Sequence, residues 1–151
     1  MIIATVRAGP GQIAIASLPE CDADDQRIVD WDPSLVVSMT EAREMGPVHA
    51  NFPSHLKEHG IDWVHLPVRN FGGLDGQEME RWPVLSASFH AALDAGGGVL
   101  VHCRGGQGRS GMIALRLLVE RGEIPDAALV RIRSVRPGAV ETEAQFRWAA
   151  N

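Results

Sequence analysis

The chain is predicted to be an α/β domain, with a mostly parallel central sheet flanked by helices on both faces. Three observations carry this. Short β-rich runs come first, and strand and helix patterns alternate after them, the order that builds a parallel sheet with helices packed on it. The run Val99 to Val101 is apolar at every position, as a strand buried on both faces must be. That run feeds a glycine-rich loop that opens directly into a helical segment, Met112 to Glu120. At 151 residues, 45% of them hydrophobic and 22% charged, the chain has the size and composition of one domain, residues 1–151, with its own core.

The elements follow in order. Ile2 to Val6 and Gln12 to Leu18 read as strands joined at Gly9-Pro10-Gly11 into a hairpin, the second with alternating apolar residues. Pro19 to Asp25 reads as a solvated acidic loop that holds Cys21, and Ile28 to Trp31 as the end of a short helix. Ser34 to Met39 is a buried strand. Thr40 starts a short helix through Met45, with Glu44 placed for a capping arrangement and Gly46-Pro47 as its stop. Asn51 to His59 forms a helix with Phe52 and Leu56 on one face and Gly60 at its end. Ile61 to Val68 is a third strand, and Arg69 to Gly76 the loop after it. Glu78 to Leu93 is a helix with Met79, Trp82, Leu85, Phe89 and Leu93 at helical spacing, and Pro83 is positioned to kink it. Arg109 to Arg121 is apolar almost all round and therefore buried. Pro125 opens the next helix, Arg136-Pro137-Gly138 ends it, and the last starts near Thr142.

Composition narrows function. A net charge of −5 argues against nucleic acid or an anionic membrane as partner. Two cysteines make no disulfide framework, and a reactive thiol persists in a reducing compartment, so the cytoplasm is expected. No signal or spanning segment is evident, since the apolar run at the N-terminus is only Ile2 to Val6.

The chemistry concentrates in Val99-Leu-Val-His-Cys-Arg-Gly-Gly-Gln-Gly-Arg-Ser-Gly111. A strand, a glycine-rich loop and a helix N-terminus aim backbone N–H groups and the positive end of the helix dipole at one spot. Cys103 stands at one edge of it and Arg109 at the other. The field there favours a thiolate, the nucleophilic form of a cysteine. Arg109 offers a planar fork that matches two phosphoryl oxygens. Gly105, Gly106 and Gly108 allow positive φ and let the main chain approach an anion closely, while Arg104 and Gln107 contribute backbone N–H groups. The spot reads as a phosphate cradle above a nucleophile, with attack giving a phosphocysteine that water then hydrolyses.

His102-Cys103, five residues, then Arg109-Ser110 resembles the signature of the cysteine-dependent protein phosphatases. The small size resembles the dual-specificity branch, and the loops are similar to those of cyclin-dependent-kinase-associated phosphatases. The resemblance spans nearly the whole chain and is sharpest at 99 to 111. It implies the phosphatase α/β fold, a phosphorylated substrate, in the first place a protein, and no cofactor. It gives His102 a supporting role that steadies the loop, against a plain core histidine at a strand end. Ser110 would donate to the sulfur as it leaves phosphorus, or cap the helix. Gln145 would orient the hydrolytic water, or serve the capping box of Thr142-Glu-Ala-Gln145. Relatives carry an aspartic general acid where this chain has Asn70, in Pro67-Val-Arg-Asn-Phe-Gly-Gly-Leu-Asp75. Asp75 is the loop's remaining carboxyl, either a displaced acid or the cap of the next helix. His49, His55, His59, His65 and His90 lack metal-ligand spacing. Two other readings remain: a phosphate-binding pseudophosphatase, for which the change at Asn70 argues, and a persulfide-carrying sulfurtransferase. A disulfide between Cys21 and Cys103 under oxidation has no support in the sequence. Substrate identity and oligomeric state are left open.

Overall fold

The computed structural model describes residues 1–46 and 50–151. It contains five strands, β1 (Ile3–Ala8), β2 (Gly11–Ala16), β3 (Leu35–Ser38), β4 (Asp62–His65) and β5 (Gly98–His102). The helices are α1 (Asp22–Trp31), α2 (Ala42–Met45), α3 (Phe52–Glu58), α4 (Gly76–Asp94), α5 (Gly108–Glu120), α6 (Pro125–Val135) and α7 (Glu143–Ala150). The strands form one sheet in the order β1-β2-β5-β3-β4. β1 and β2 make the antiparallel hairpin, while β2–β5, β5–β3 and β3–β4 are parallel.

Period-two alternation sends each strand's side chains to two cores. Val99 and Val101 of β5, with Leu35 and Val37 of β3, face a core closed by Trp82, Phe89 and Leu93 of α4 and by the apolar side of α5. Leu100 and Val36 face the opposite core, closed by Ile28 of α1 and by Phe52 and Leu56 of α3. Helices therefore cover both faces, as expected. β3 and β5 read as unbroken apolar runs because neither face of them meets water.

Local details differ from the sequence expectations. The acidic stretch at 22–25 is not loop but the first turn of α1, where Asp22, Asp24 and Asp25 meet the positive end of the helix dipole. Cys21 is the exposed residue that precedes this helix. α2 is entered at Glu41 rather than Thr40, and its stop at Pro47 lies outside the described residues, as does His49. α4 runs through Pro83 from Gly76 to Asp94. Met79, on the expected core face of α4, is 48% exposed, because it lies beside Trp148 at the edge of the packing.

The four parallel strands end at Ala16, Ser38, His65 and His102. The segments that follow them, 17–21, 39–41, 66–75 and 103–107, gather at one end of the sheet. In sheets of this kind that end holds the ligand crevice.

Candidate active site

Cys103 is the first residue beyond β5. Its N–H donates to Ala16 O at 3.3 Å, which fixes it against the end of β2. The thiol is 97% enclosed, and its Sγ lies 3.2 Å from Ser110 Oγ. Ser110 is the third residue of α5, and Gln107 is the cap, so the capping role for Ser110 falls. Its hydroxyl is committed to the sulfur, the position needed to donate to it.

Behind Cys103, His102 is fully buried. Its Nε2 lies 2.5 Å from Ser38 Oγ, which also accepts from Trp63 Nε1 at 2.8 Å. Phe52 stands edge-on to the ring. These contacts tie the residue before Cys103 across β3 to β4.

The loop itself is turned inside out by its neighbours. Arg104 O accepts from Leu18 N–H at 3.1 Å, and Gln107 O from Val140 N–H at 3.1 Å. Gly105 O accepts from Arg136 Nη2 at 3.0 Å, and Gly106 O from Arg136 Nε at 2.8 Å. No peptide in the described chain is cis, and a trans peptide points its C=O and the following N–H in opposite directions. Four carbonyls held outward therefore leave four consecutive N–H groups, of residues 105 to 108, directed inward. Gly106 makes this possible: its φ is +69°, and a Cβ there would come within 2.6 Å of Ser17 N. A Cβ on Gly108 would strike Glu141 Oε1 at 2.3 Å and Gln145 Nε2 at 3.0 Å. Gly105 and Gly108 differ from the expectation in having no positive φ, and a Cβ on Gly105 would meet open space.

Arg109 is 99% buried, and its five donors are divided between two tasks. Glu44 takes the end of the guanidinium, with Nη1 to Oε2 at 2.7 Å and Nη2 to Oε1 at 2.8 Å. Nη1 also donates to Val68 O at 2.9 Å. Nε has no partner among the described residues. Nε–H and the second Nη2–H lie on one edge, so a two-donor fork remains for an oxyanion. Burial works against the charge of Arg109, but the hydrogen bonds to Glu44 and the electrostatic attraction of Cys103, Glu44 and Glu41 outweigh it and hold the guanidinium firmly protonated. In return, the hydrogen bonds from Arg109 keep the Glu44 carboxyl below its ordinary pKa despite partial burial. Sequence reasoning had assigned Glu44 to its cap alone. It does both, since Oε2 also accepts from Glu41 N–H at 2.8 Å.

Gln145 likewise serves two ends. Its Oε1 accepts from Glu141 N–H (2.8 Å) and Thr142 N–H (3.2 Å), completing a capping box with Thr142. Its Nε2 is buried and unpartnered among the described residues, on the side facing Gly108. The capping box thus uses Oε1 and leaves Nε2 of the same amide available.

The loop after β4 separates its two candidates. Asn70 lines a cavity of about 320 Å³ with Glu41, Arg43, Glu44 and Arg104, beside the anion loop. Asp75 precedes α4, its side chain makes no capping bond, and it lines a neighbouring cavity of about 460 Å³ with Glu41, Arg69 and Glu78. Between them Phe71 is held at φ +64°, its N–H donating to Asn70 Oδ1 (3.1 Å) and its O accepting from Thr142 Oγ1 (3.1 Å).

A thiol beneath inward N–H groups, with a guanidinium edge beside it and a helix N-terminus behind, defines the class of cysteine-dependent phosphatases. Residues 7–148 match the family described as Swiss Army Knife protein, DSP-PTPase phosphatase domain, and the chain belongs to that family. It is 33% identical over 89 residues to mouse (Mus musculus) protein tyrosine phosphatase type IVA 3, a match covering 58% of this chain and 50% of that protein. The chain thus spans about half the length of this curated relative. Among solved structures, Tk-PTP in its active form has 28% identity and a TM-score of 0.75, covering 91% of this chain and 88% of that one. Kinase associated phosphatase, with its catalytic site cysteine replaced by serine, has a TM-score of 0.84 over 98% and 91% of the two chains. At 19% identity it shows the shared fold.

Proposed function

We propose that the protein hydrolyses phosphate monoesters through a phosphocysteine intermediate, as a protein tyrosine or dual-specificity phosphatase of the cytoplasm. One observation carries the reading: Cys103 Sγ lies in hydrogen-bond range of Ser110 at the floor of a loop whose N–H groups and free Arg109 edge converge above it. The phosphoryl group would sit on residues 104 to 108 and the Nε/Nη2 edge of Arg109. Cys103 sulfur attacks phosphorus, the S–P bond forms, and the ester P–O bond breaks. The leaving oxygen departs with a proton. Water held by Gln145 Nε2 then attacks phosphorus, and the P–S bond breaks to give inorganic phosphate. The Ser110 hydroxyl stabilises the departing sulfur.

The acid is the open step. Asn70 occupies the position beside Arg104, and an amide supplies no proton. In our reading Asp75 serves as a displaced acid, with the glycines at 72 and 73 letting the loop fold back. General acid catalysis is worth roughly a hundred- to ten-thousandfold, so Asp75→Asn should cut kcat strongly on alkyl phosphates and little on activated aryl phosphates. If it changes neither while Asn70→Asp raises the rate, the site works without an acid and favours phenolic esters, whose leaving group has a pKa near 10. The deciding experiment for the function is steady-state hydrolysis of a panel of aryl and alkyl phosphates by wild type and Cys103→Ser. Activity in the serine variant beyond a trace would remove Cys103 as nucleophile. A wild type that binds phosphate but turns nothing over would be a pseudophosphatase, the reading that Asn70 favours.

A further inference from the structure

Of the three residues that hold the loop carbonyls outward, only Arg136 acts through a side chain; Leu18 and Val140 act through main-chain N–H groups. Arg136 ends α6, 30 residues from the loop, and its guanidinium spans two successive carbonyls. These belong to the pair of glycines, the part of the loop with the widest choice of backbone angles. A Cβ built on Gly105 would have no neighbour within 4 Å, so that end of the peptide is open, and the Arg136 bond is the hydrogen bond that holds its carbonyl. A carbonyl that rotated inward would present an acceptor oxygen to a phosphoryl oxygen and withdraw the N–H that should bind it.

We propose that Arg136 is a positioning residue for the phosphoryl site: it locks the Gly105–Gly106 and Gly106–Gln107 peptide planes so that the N–H groups of Gly106 and Gln107 point at the anion. The inference rests on reading this loop as a phosphoryl cradle. The bonds of Arg136 are charge-assisted, and the residue after it, Pro137, accepts through its O from Gln107 Nε2 at 3.4 Å. Because the N–H groups serve ground state and transition state alike, losing the lock should raise KM and inhibitor constants and so lower kcat/KM.

The test compares vanadate and inorganic phosphate as competitive inhibitors of wild type, Arg136→Met and Arg136→Lys, with melting temperatures measured without anion. Arg136→Met should weaken vanadate at least tenfold and lower kcat/KM by at least as much, with the anion-free melting temperature within a few degrees of wild type. Lys, able to reach one carbonyl, should fall between. Guanidinium ion at millimolar concentration should recover part of the vanadate affinity of Arg136→Ala, which a purely structural role would not allow. Vanadate constants within twofold of wild type in Arg136→Met would overturn the proposal. So would a loss in Arg136→Ala that guanidinium leaves untouched while the anion-free melting temperature drops in step. A wild type that neither hydrolyses esters nor binds vanadate would instead end the phosphatase reading, so the two failures are distinct.

Discussion

Arg109 and Glu44 form the most demanding side-chain pair of the molecule. The guanidinium bonds a carboxylate and a carbonyl, and in the proposed mechanism must also grip a phosphoryl group, which a point charge cannot do at once. Arg109→Lys should therefore lower kcat/KM at least about a hundredfold, since each lost charge-assisted bond is worth roughly 1.5–3 kcal/mol. Glu44 adds a pH dependence. Its folded-state pKa is lowered from an ordinary 4.5 by Arg109, so it binds its proton more weakly folded than unfolded. The stability it contributes is fully present above that ordinary value and is lost as pH falls through the lowered one. Urea midpoints of wild type and Glu44→Gln should differ by a constant amount from neutral pH to about 5, and the gap should close at more acid pH. A gap that widens on acidification would contradict the pairing. Cys103, Arg109 and Ser110 were legible in the sequence because loop and helix place them together locally. Glu44 and Arg136 were not: they reach the site from 65 and 30 residues away, and each has a local reading, a cap and a helix end, that accounts for its residue type.

At the scale of elements, α4 and α5 are joined by one carboxylate. Glu120, near the end of α5, accepts from Trp82 Nε1, Arg116 Nε and His90 Nε2 at 2.8, 2.9 and 3.0 Å, and from Ser86 Oγ. Burial opposes its charge, yet these bonds hold its pKa below the ordinary value. Glu120→Ala should destabilise the fold by about 2 kcal/mol, after allowance for its partial exposure. That corresponds to a fall of about 4–8 °C in Tm, with kcat/KM at 25 °C unchanged because the active site lies at the other end of α5. The sequence pattern located every helix in the second half of the chain to within two residues, since their apolar faces, Pro125 and the Thr142 capping box are local signals. It misread 22–25, where three aspartates suit both a solvated loop and a helix N-terminus; the packing of Ile28 into the core decides for the helix.

For the whole molecule, two cores on either side of one sheet converge on the site: β5 carries Cys103 out of the sheet, and α5 aims its N-terminus back at it. A bound oxyanion is then linked to global stability. At a hundred times its dissociation constant it should add about 2.7 kcal/mol, a rise of about 5–11 °C in Tm. Cys103→Ser should keep most of this shift while losing turnover, because the cradle is main chain plus Arg109. A serine variant whose Tm ignores tungstate would show that the sulfur itself is needed for binding. The fold class was legible from alternation of strand and helix; the sheet order was not, because β5 inserts between β2 and β3, which precede it in the chain by 81 and 59 intervening residues.

The four inward N–H groups have one more consequence. They belong to the backbone, so the cradle itself does not depend on which side chains stand at positions 104 and 105. Both are exposed, but Arg104 lines the cavity of Asn70 and its charge acts on Glu44, so the two positions carry different weight. A library randomised at 105 should remain broadly active on small aryl phosphates while members diverge on larger substrates, and one randomised at 104 should lose more members.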